Sequence, residues 1–259
     1  AMFTSLDRYE KPFEHCMKLV DLFYQELEEH GDRIGIVKTY EDIEENRRLG
    51  KMSALLTIEE GGVCQGEIAF LRDFYRLGVR MMTLTWNFRN ELGWPNIIRI
   101  EGDEAYFEPD TEHGLTETGI EFVREMERLG MIMDVSHLSD AGIMDVFRYT
   151  KKPFVASHSN ARTVASNPRN LTDEMLKMLS ERGGVAGINY CADFLHDWQR
   201  DEHAVSRVDD MILHMKHMKK IGGIQCIGLG SDFDGIGGEL EIKSPEDLPV
   251  LEQAMRRAG

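Results

Sequence analysis

The chain has 259 residues, of which 42% are hydrophobic and 29% charged, and its formal net charge is −16 at pH 7. This composition is typical of a globular protein, and the length suits one large α/β domain or two small ones. The negative charge argues against nucleic acid and anionic lipid as partners, because binding to either depends on Lys and Arg. The sequence shows neither a secretory signal nor an apolar run of the roughly 18 residues that span a membrane, so we expect no membrane partner and a cytoplasmic location.

An amphipathic helix, a glycine and an apolar strand recur along the chain. The pattern predicts strands at residues 1–5, 54–58, 81–85, 131–135, 154–156, 185–188 and 227–229. Between them lie predicted helices that end at glycines such as Gly78 and Gly130, and one that begins at Thr172 as its N-cap. Near-continuous apolar strands are typical of a parallel sheet that is buried on both faces. Alternating helices and strands then favour a βα barrel or a doubly wound sheet.

Polar residues follow nearly every predicted strand, which favours the barrel. Functional side chains of a TIM barrel come from the ends of many strands, whereas a doubly wound sheet often carries a Gly-rich phosphate loop, and no GxGxxG or P-loop follows any strand here. We therefore expect an α/β fold, a TIM (β/α)8-like barrel that forms a single domain over residues 1–259. Residues 87–112 are predicted to form a long irregular loop beside the site.

Two histidines stand at the ends of neighbouring predicted strands. His137 and His158 would therefore lie close enough to bind one metal ion. Taken singly, each is better explained by a hydrogen bond to a loop. Glu60 and Asp232, which follow other strands, add the carboxylates that a hydrolytic metal site uses as ligand and proton carrier. By contrast, the His214 and His217 pair lies among lysines and is predicted to occupy a solvated helix face.

Five motifs in this order and spacing resemble those of the membrane dipeptidase (renal dipeptidase) family, peptidase family M19. They are Glu60-Gly-Gly62, Leu84-Thr-Trp-Asn87, Asp134-Val-Ser-His137, Ser157-His-Ser159 and Gly230-Ser-Asp-Phe-Asp-Gly235. The resemblance covers nearly the whole chain. It implies a distorted TIM barrel of the metal-dependent hydrolase (amidohydrolase) type, in which a glutamate and a hydroxide bridge two zinc ions. The implied activity is hydrolysis of dipeptides by that metal-activated hydroxide.

The resemblance also implies roles for individual residues. Glu60 would be the bridging carboxylate, and His137 and His158 would bind the second metal ion. Asp232 would take the proton of the attacking water and pass it to the leaving amine. Arg169 would hold the carboxylate of a short peptide through two parallel hydrogen bonds, which favours a dipeptidase over an endopeptidase. The remaining predicted substrate-binding residues are Asn87 and Tyr190.

The sequence departs from the family pattern in two places. The family carries a His-x-Asp pair on its first strand as ligands of the first metal ion, and no such pair occurs near the start of this chain. We therefore expect the first βα unit to be absent, the C-terminus to stop early, and the open sheet edges to favour a homodimer. Trp86 stands where animal members carry a histidine thought to interact with the substrate, and Asn87 is the alternative donor there.

Two other functions remain open at this point. One is a different metal-dependent amidohydrolase that acts on a small amide or lactam. The other is a catalytically impaired remnant that retains a partial metal site. The expected class is a metallo-dipeptidase.

Overall fold

The structure is a computed structural model that describes residues 1–101, 104–197 and 203–259, with no side chains described for residues 97–107. It divides into two compact units. Unit 1 comprises Ala1–Pro95 and Asp110–Lys151, and unit 2 comprises Asn96–Pro109 and Lys152–Gly259. The single domain stays a prediction. None of the helices in the described ranges combines the length and apolar character that crossing a bilayer requires.

Strands and helices alternate along the described chain. The strands are β1 (Met2–Phe3), β2 (Ile34–Val37), β3 (Met52–Leu55), β4 (Thr57–Glu59), β5 (Met81–Thr83), β6 (Ile97–Glu101), β7 (Glu104–Glu108), β8 (Ile132–Asp134), β9 (Val155–Ala156), β10 (Val185–Ile188), β11 (Val205–Ser206), β12 (Ile227–Leu229) and β13 (Glu239–Leu240). The α-helices are α1 (Pro12–Glu29), α2 (Tyr40–Arg48), α3 (Ile68–Arg76), α4 (Glu117–Leu129), α5 (Asp140–Tyr149), α6 (Asp173–Glu181), α7 (Ala192–Leu195), α8 (Val208–Gly222) and α9 (Leu248–Ala258). The α/β class predicted from the sequence is confirmed.

Unit 1 is built on four parallel strands in the order β1, β4, β5, β8. Their central residues pair in register as Met2, Ile58, Met82 and Met133, all of which are buried. Helices α3 and α4 bury one apolar stripe each, because their hydrophobic residues recur at helical spacing. This apolar layer fixes the register of the strands, and on β4, β5 and β8 the next residue begins the polar end of the sheet.

Unit 2 contains three further parallel strands in the order β9, β10, β12. Two glycines allow these strands to approach closely at their ends. A Cβ on Gly187 would lie 2.1 Å from the carbonyl oxygen of Ser157, and one on Gly230 would lie 2.0 Å from the same atom. Because no side chain fits there, the backbone beside His158 is held by direct contact between strand ends.

The seven predicted strands are present, with bounds that move by a few residues. The second differs most, since Met52–Leu55 pairs with β2 in a separate two-stranded sheet and only Thr57–Glu59 joins the parallel strands. The helix ends follow the sequence prediction: Gly130 takes a left-handed conformation after α4, and the hydroxyl of Thr172 accepts a hydrogen bond from the N–H of Met175. The expectation of an irregular loop at residues 87–112 was wrong, because strands β6 and β7 form an antiparallel pair within it.

Candidate metal and substrate site

A row of polar residues ends the parallel strands of unit 1. Glu59 of β4 pairs in register with Thr83 of β5, which pairs with Asp134 of β8. The Thr83 hydroxyl donates to Asp134 Oδ2 at 2.7 Å, and the N–H of Ser136 donates to Asp134 Oδ1 at 3.0 Å. The buried Asp134 carboxylate therefore fixes the backbone that leads from β8 to His137.

His137 faces Glu59 from this loop. Its backbone is left-handed, with φ of 70°, and its Nε2 lies 3.3 Å from Glu59 Oε1. Its other ring nitrogen, Nδ1, lies 2.8 Å from Asn87 Oδ1. The Trp86 ring packs beside the imidazole, with 6.2 Å between the ring centroids. The imidazole is thus oriented by an amide on one side and a large apolar ring on the other, and it presents Nε2 to a carboxylate.

The chemistry of this pair suits a cation. With its proton on Nδ1, the neutral ring donates to Asn87 Oδ1 and leaves the unprotonated Nε2 3.3 Å from Glu59 Oε1. In this tautomer a metal ion or a second proton can lie between the two atoms. Imidazole nitrogen and carboxylate oxygen are the ligands of hydrolytic zinc sites, and an outer hydrogen bond that sets the tautomer is usual there. These residues therefore fit a divalent metal ion.

Glu60 has a different environment from Glu59. Its backbone is left-handed, with φ of 96°, and its side chain is fully buried. Oε1 accepts hydrogen bonds from the Gly62 N–H and from Asn90 Nδ2, and Oε2 accepts one from the Trp86 N–H. Burial raises the pKa of Glu60, and these neutral donors partly oppose that shift. The predicted metal-bridging role of Glu60 stays a prediction.

In unit 2, His158 follows β9 and is buried. Its Nδ1 lies 2.7 Å from the hydroxyl oxygen of Ser157, which orients the ring. The predicted metal-binding role of His158 stays a prediction.

Asp232 follows β12 and also has a left-handed backbone, with φ of 59°. Its Oδ2 accepts a hydrogen bond from Asn189 Nδ2 at 3.1 Å. The neighbouring Tyr190 is fully buried and packs edge-on against Phe233, and its hydroxyl has no hydrogen-bond partner among the described residues. Burial raises the pKa of Tyr190 to about 12, so its hydroxyl stays protonated at neutral pH.

Arg169 lies within unit 2 and is only 6% exposed. Its Nη1 is 3.5 Å from the Ser159 hydroxyl oxygen, and its guanidinium carbon lies 5.4 Å from the centre of the Phe194 ring. A buried guanidinium is uncommon because its charge loses hydration. The structure therefore places Arg169 away from the bulk solvent in which a surface loop arginine would lie.

Comparison with known protein families shows which family the chain belongs to. The family model for membrane dipeptidases, peptidase family M19, matches residues 1–259. The chain belongs to this family. The predictions of M19 membership and of the peptide-bond hydrolase class are confirmed at the family level, and membership of a metallopeptidase family implies a metal ion.

Individual relatives agree with the M19 assignment. A Klebsiella pneumoniae protein, described as an uncharacterized protein in the pqqA 5′ region, is 32% identical over 96% of this chain and 89% of its own length. An uncharacterized dipeptidase of Schizosaccharomyces pombe is 38% identical over 73% of this chain, which spans only 43% of that protein. A Rhodobacter sphaeroides metallopeptidase, solved with a phosphinate mimic of the dipeptide L-Ala-D-Ala, is 31% identical with a TM-score of 0.87, over 97% of this chain and 70% of its own. The predicted TIM-barrel-like fold type is confirmed by this match.

Sequence reasoning missed two features of these sites. It favoured Glu60 and gave no role to Glu59, although the adjacent pair of glutamates at a strand end was the signal that either one could face the histidine. It also placed His214 on a solvated face, which was wrong: His214 is fully buried, and both ring nitrogens make hydrogen bonds to backbone groups. The prediction was based on the nearby lysines, which lie on the opposite, exposed side of α8.

Proposed function

We propose that the chain is a zinc-dependent dipeptidase. The observation that carries the proposal is the His137–Glu59 pair, whose nitrogen and oxygen atoms suit a metal ion, at the strand ends of a metallopeptidase fold. The dipeptide mimic bound by the Rhodobacter sphaeroides relative supports a dipeptide as the substrate. A cytoplasmic location and a homodimer stay predictions.

Glu59 and His137 of unit 1 are proposed ligands of one divalent ion, and the family motif implies His158 as a further ligand. Glu60 is the proposed bridging carboxylate to a second ion, as the family motif implies. Metal binding by the two glutamates would affect the hydrogen bonds of the site differently. Metal binding by Glu59 would leave the three hydrogen bonds of Glu60 in place. Metal binding by Glu60 would require its carboxylate to share or exchange those hydrogen bonds with the ion.

Each of the proposed site residues has a separate role in hydrolysis. A bound zinc ion supplies acidity to a water molecule and polarises a carbonyl oxygen. The Asp232 carboxylate accepts the proton of the attacking water and delivers it to the nitrogen of the leaving amine. Arg169 donates hydrogen bonds to the carboxylate of the substrate, which limits the enzyme to short peptides. Asn87 orients His137, and Tyr190 contributes an uncharged donor toward the substrate.

Metal content provides the direct test. After zinc loading and desalting, zinc per chain is measured by elemental analysis in the wild type and in four variants, which are Glu59→Gln, Glu60→Gln, His137→Ala and His158→Ala. We expect the wild type to retain zinc and the histidine variants to lose most of it. Loss in Glu59→Gln alone would assign the ligand to Glu59, and loss in both glutamine variants would support a bridging role for Glu60.

A matched control uses a histidine–carboxylate pair outside the site. His203 Nε2 lies 2.9 Å from Glu239 Oε2, but both side chains are exposed, so His203→Ala should keep its zinc. Hydrolysis of L-Ala-L-Ala is then assayed with and without zinc, beside the C-terminal amide of the same dipeptide. Unchanged zinc in both site-histidine variants would contradict the metal assignment. Equal turnover of peptide and amide would instead indicate an amidohydrolase without a carboxylate requirement.

A further inference from the structure

His214 of α8 connects two separate segments of unit 2 from a fully buried position. Its Nδ1 accepts a hydrogen bond from the N–H of Ala161 at 3.0 Å, and its Nε2 lies 3.0 Å from the carbonyl oxygen of Leu195. An N–H can only donate and a carbonyl oxygen can only accept, so the ring is the neutral tautomer with its proton on Nε2. Burial lowers the pKa of His214 to about 4, which is consistent with a neutral ring at neutral pH.

The first segment held by His214 is the loop that carries Arg169. Ala161 forms a bridge with Leu171, and the N–H of Leu171 donates to the carbonyl oxygen of Asn160 at 2.8 Å. These contacts close residues 160–171 into one loop. Within it, the backbone N–H of Arg169 donates to Asn167 Oδ1 at 2.9 Å. The hydrogen bond to His214 therefore anchors the base of the loop that presents the guanidinium.

The second segment is α7, which packs beside the same guanidinium. Phe194 precedes Leu195, and its ring lies under Arg169. The carbonyl oxygen of Phe194 accepts hydrogen bonds from Asn160 Nδ2 and Asn170 Nδ2, at 3.1 and 2.9 Å. The loop and α7 are thus joined to each other beside Arg169, and His214 makes a hydrogen bond to each of them.

We propose that His214 is a positioning residue that sets the Arg169 guanidinium for the substrate carboxylate. This inference rests on the proposed function, because it assumes that Arg169 binds that carboxylate. A guanidinium is effective there only when its planar fork is aligned with the two carboxylate oxygens. The two hydrogen bonds of a buried imidazole, one to each supporting segment, supply that alignment without contact with the substrate.

The two bonds can be removed separately. The side-chain oxygen of Asn occupies the place of Nδ1 and can accept from Ala161, whereas the side-chain nitrogen of Gln occupies the place of Nε2 and can donate to Leu195. In the full zinc-loaded chain, we expect His214→Gln to raise the KM for L-Ala-L-Ala about tenfold, as loss of a buried hydrogen bond would. Its kcat should change less than its KM, and its preference for the peptide over the C-terminal amide should fall. His214→Asn keeps the bond to the Arg169 loop and loses the one to α7, so it should raise the KM less than His214→Gln does.

Met218→Ala is the matched control for general destabilisation. Met218 is a fully buried residue on the same helix that has no role in the loop, so this variant should lower the Tm without changing the KM or the preference for a free carboxylate. Zinc content is measured in every variant and should not change. An unchanged KM in His214→Gln, or the same kinetic change in Met218→Ala, would overturn the inference.

Binding measurements separate this inference from the proposed function. The affinity of each variant for a phosphinate dipeptide mimic is measured by calorimetry, and His214→Gln should bind it about tenfold more weakly than wild type. A wild type that neither binds the mimic nor hydrolyses dipeptides would overturn the proposed function together with this inference. An active wild type whose His214→Gln variant binds the mimic equally well would overturn this inference alone.

Discussion

Glu125 of α4 pairs with Arg72 of α3 and with Arg128 of its own helix, and neutralising it should cost stability in a pH-dependent way. Arg72 Nε donates to Oε1 at 2.5 Å, while Arg128 donates to both carboxylate oxygens at 2.7 Å. Hydrogen bonds from the two arginines lower the pKa of Glu125 from 4.5 to about 2. The charged carboxylate is therefore favoured by the folded state, and Glu125→Gln removes that preference.

The expected loss follows from this shift. A pKa lowered from 4.5 to about 2 is equivalent to about 3 kcal/mol of unfolding free energy at neutral pH. The side chains of Arg72 and Arg128 are 45% and 62% exposed, so solvent screens their charges. We therefore expect Glu125→Gln to lower the free energy of unfolding by about 1.5 kcal/mol at pH 7.

Urea unfolding of metal-free wild type and Glu125→Gln, followed by circular dichroism at pH 7, 5, 4 and 3, provides the assay. Because the folded-state pKa is the lower one, the stabilisation is complete above about pH 4.5 and is lost as the pH falls toward 2. The difference between the two proteins should therefore shrink below pH 4.5. A difference that stays constant with pH would refute the electrostatic reasoning and indicate lost packing.

Glu45 supplies a matched control on α2. Arg48 donates to both of its carboxylate oxygens with the same three-residue spacing, but the pair is exposed and has no second arginine. Glu45→Gln should leave stability unchanged at every pH.

Three further predictions concern the site. Gly187→Ala would place a methyl group 2.1 Å from the Ser157 carbonyl oxygen and should destabilise the protein by about 3 kcal/mol in urea unfolding, whereas Gly237→Ala, with open space around it, should have no effect. Asn tolerates the left-handed backbone at position 232 but cannot accept the proton. Asp232→Asn should therefore lower kcat about 100-fold with unchanged zinc content. A normal kcat would exclude Asp232 as proton carrier. Arg169→Lys removes the planar fork and should raise the KM for L-Ala-L-Ala about tenfold, and an unchanged KM would exclude a carboxylate contact.

Local patterns in the sequence were sufficient for the parallel strands and the helix ends. Apolar runs buried on both faces have no polar alternation, and a glycine after a helix adopts the left-handed conformation cheaply, so both signals act over a few residues. Gly130 and Thr172 show this directly. The motifs that carry His137 and His158 likewise pointed to a metallohydrolase, because their chemistry depends on residue type and on position after a strand.

Tertiary contacts decided what the local pattern left open. Glu59 and Glu60 are neighbours with identical side chains, and no nearby sequence feature predicts which of them faces the histidine. The left-handed backbone at Glu60 directs its carboxylate to the nearby Gly62 N–H and to Trp86 and Asn90 of a distant segment, and Glu59 is the one that faces His137.

The same distinction explains His214. The neighbouring lysines lie on the exposed side of α8. The burial of His214 depends instead on Ala161 and Leu195, which lie 53 and 19 residues away in the chain. The sequence by itself determined the α/β class, the approximate positions of the strands and the metallohydrolase motifs of this protein, because those depend on residue type and on interactions between near neighbours. Only the tertiary structure decided which carboxylate meets the imidazole and which histidine is structural, because those outcomes depend on groups brought together from distant parts of the chain.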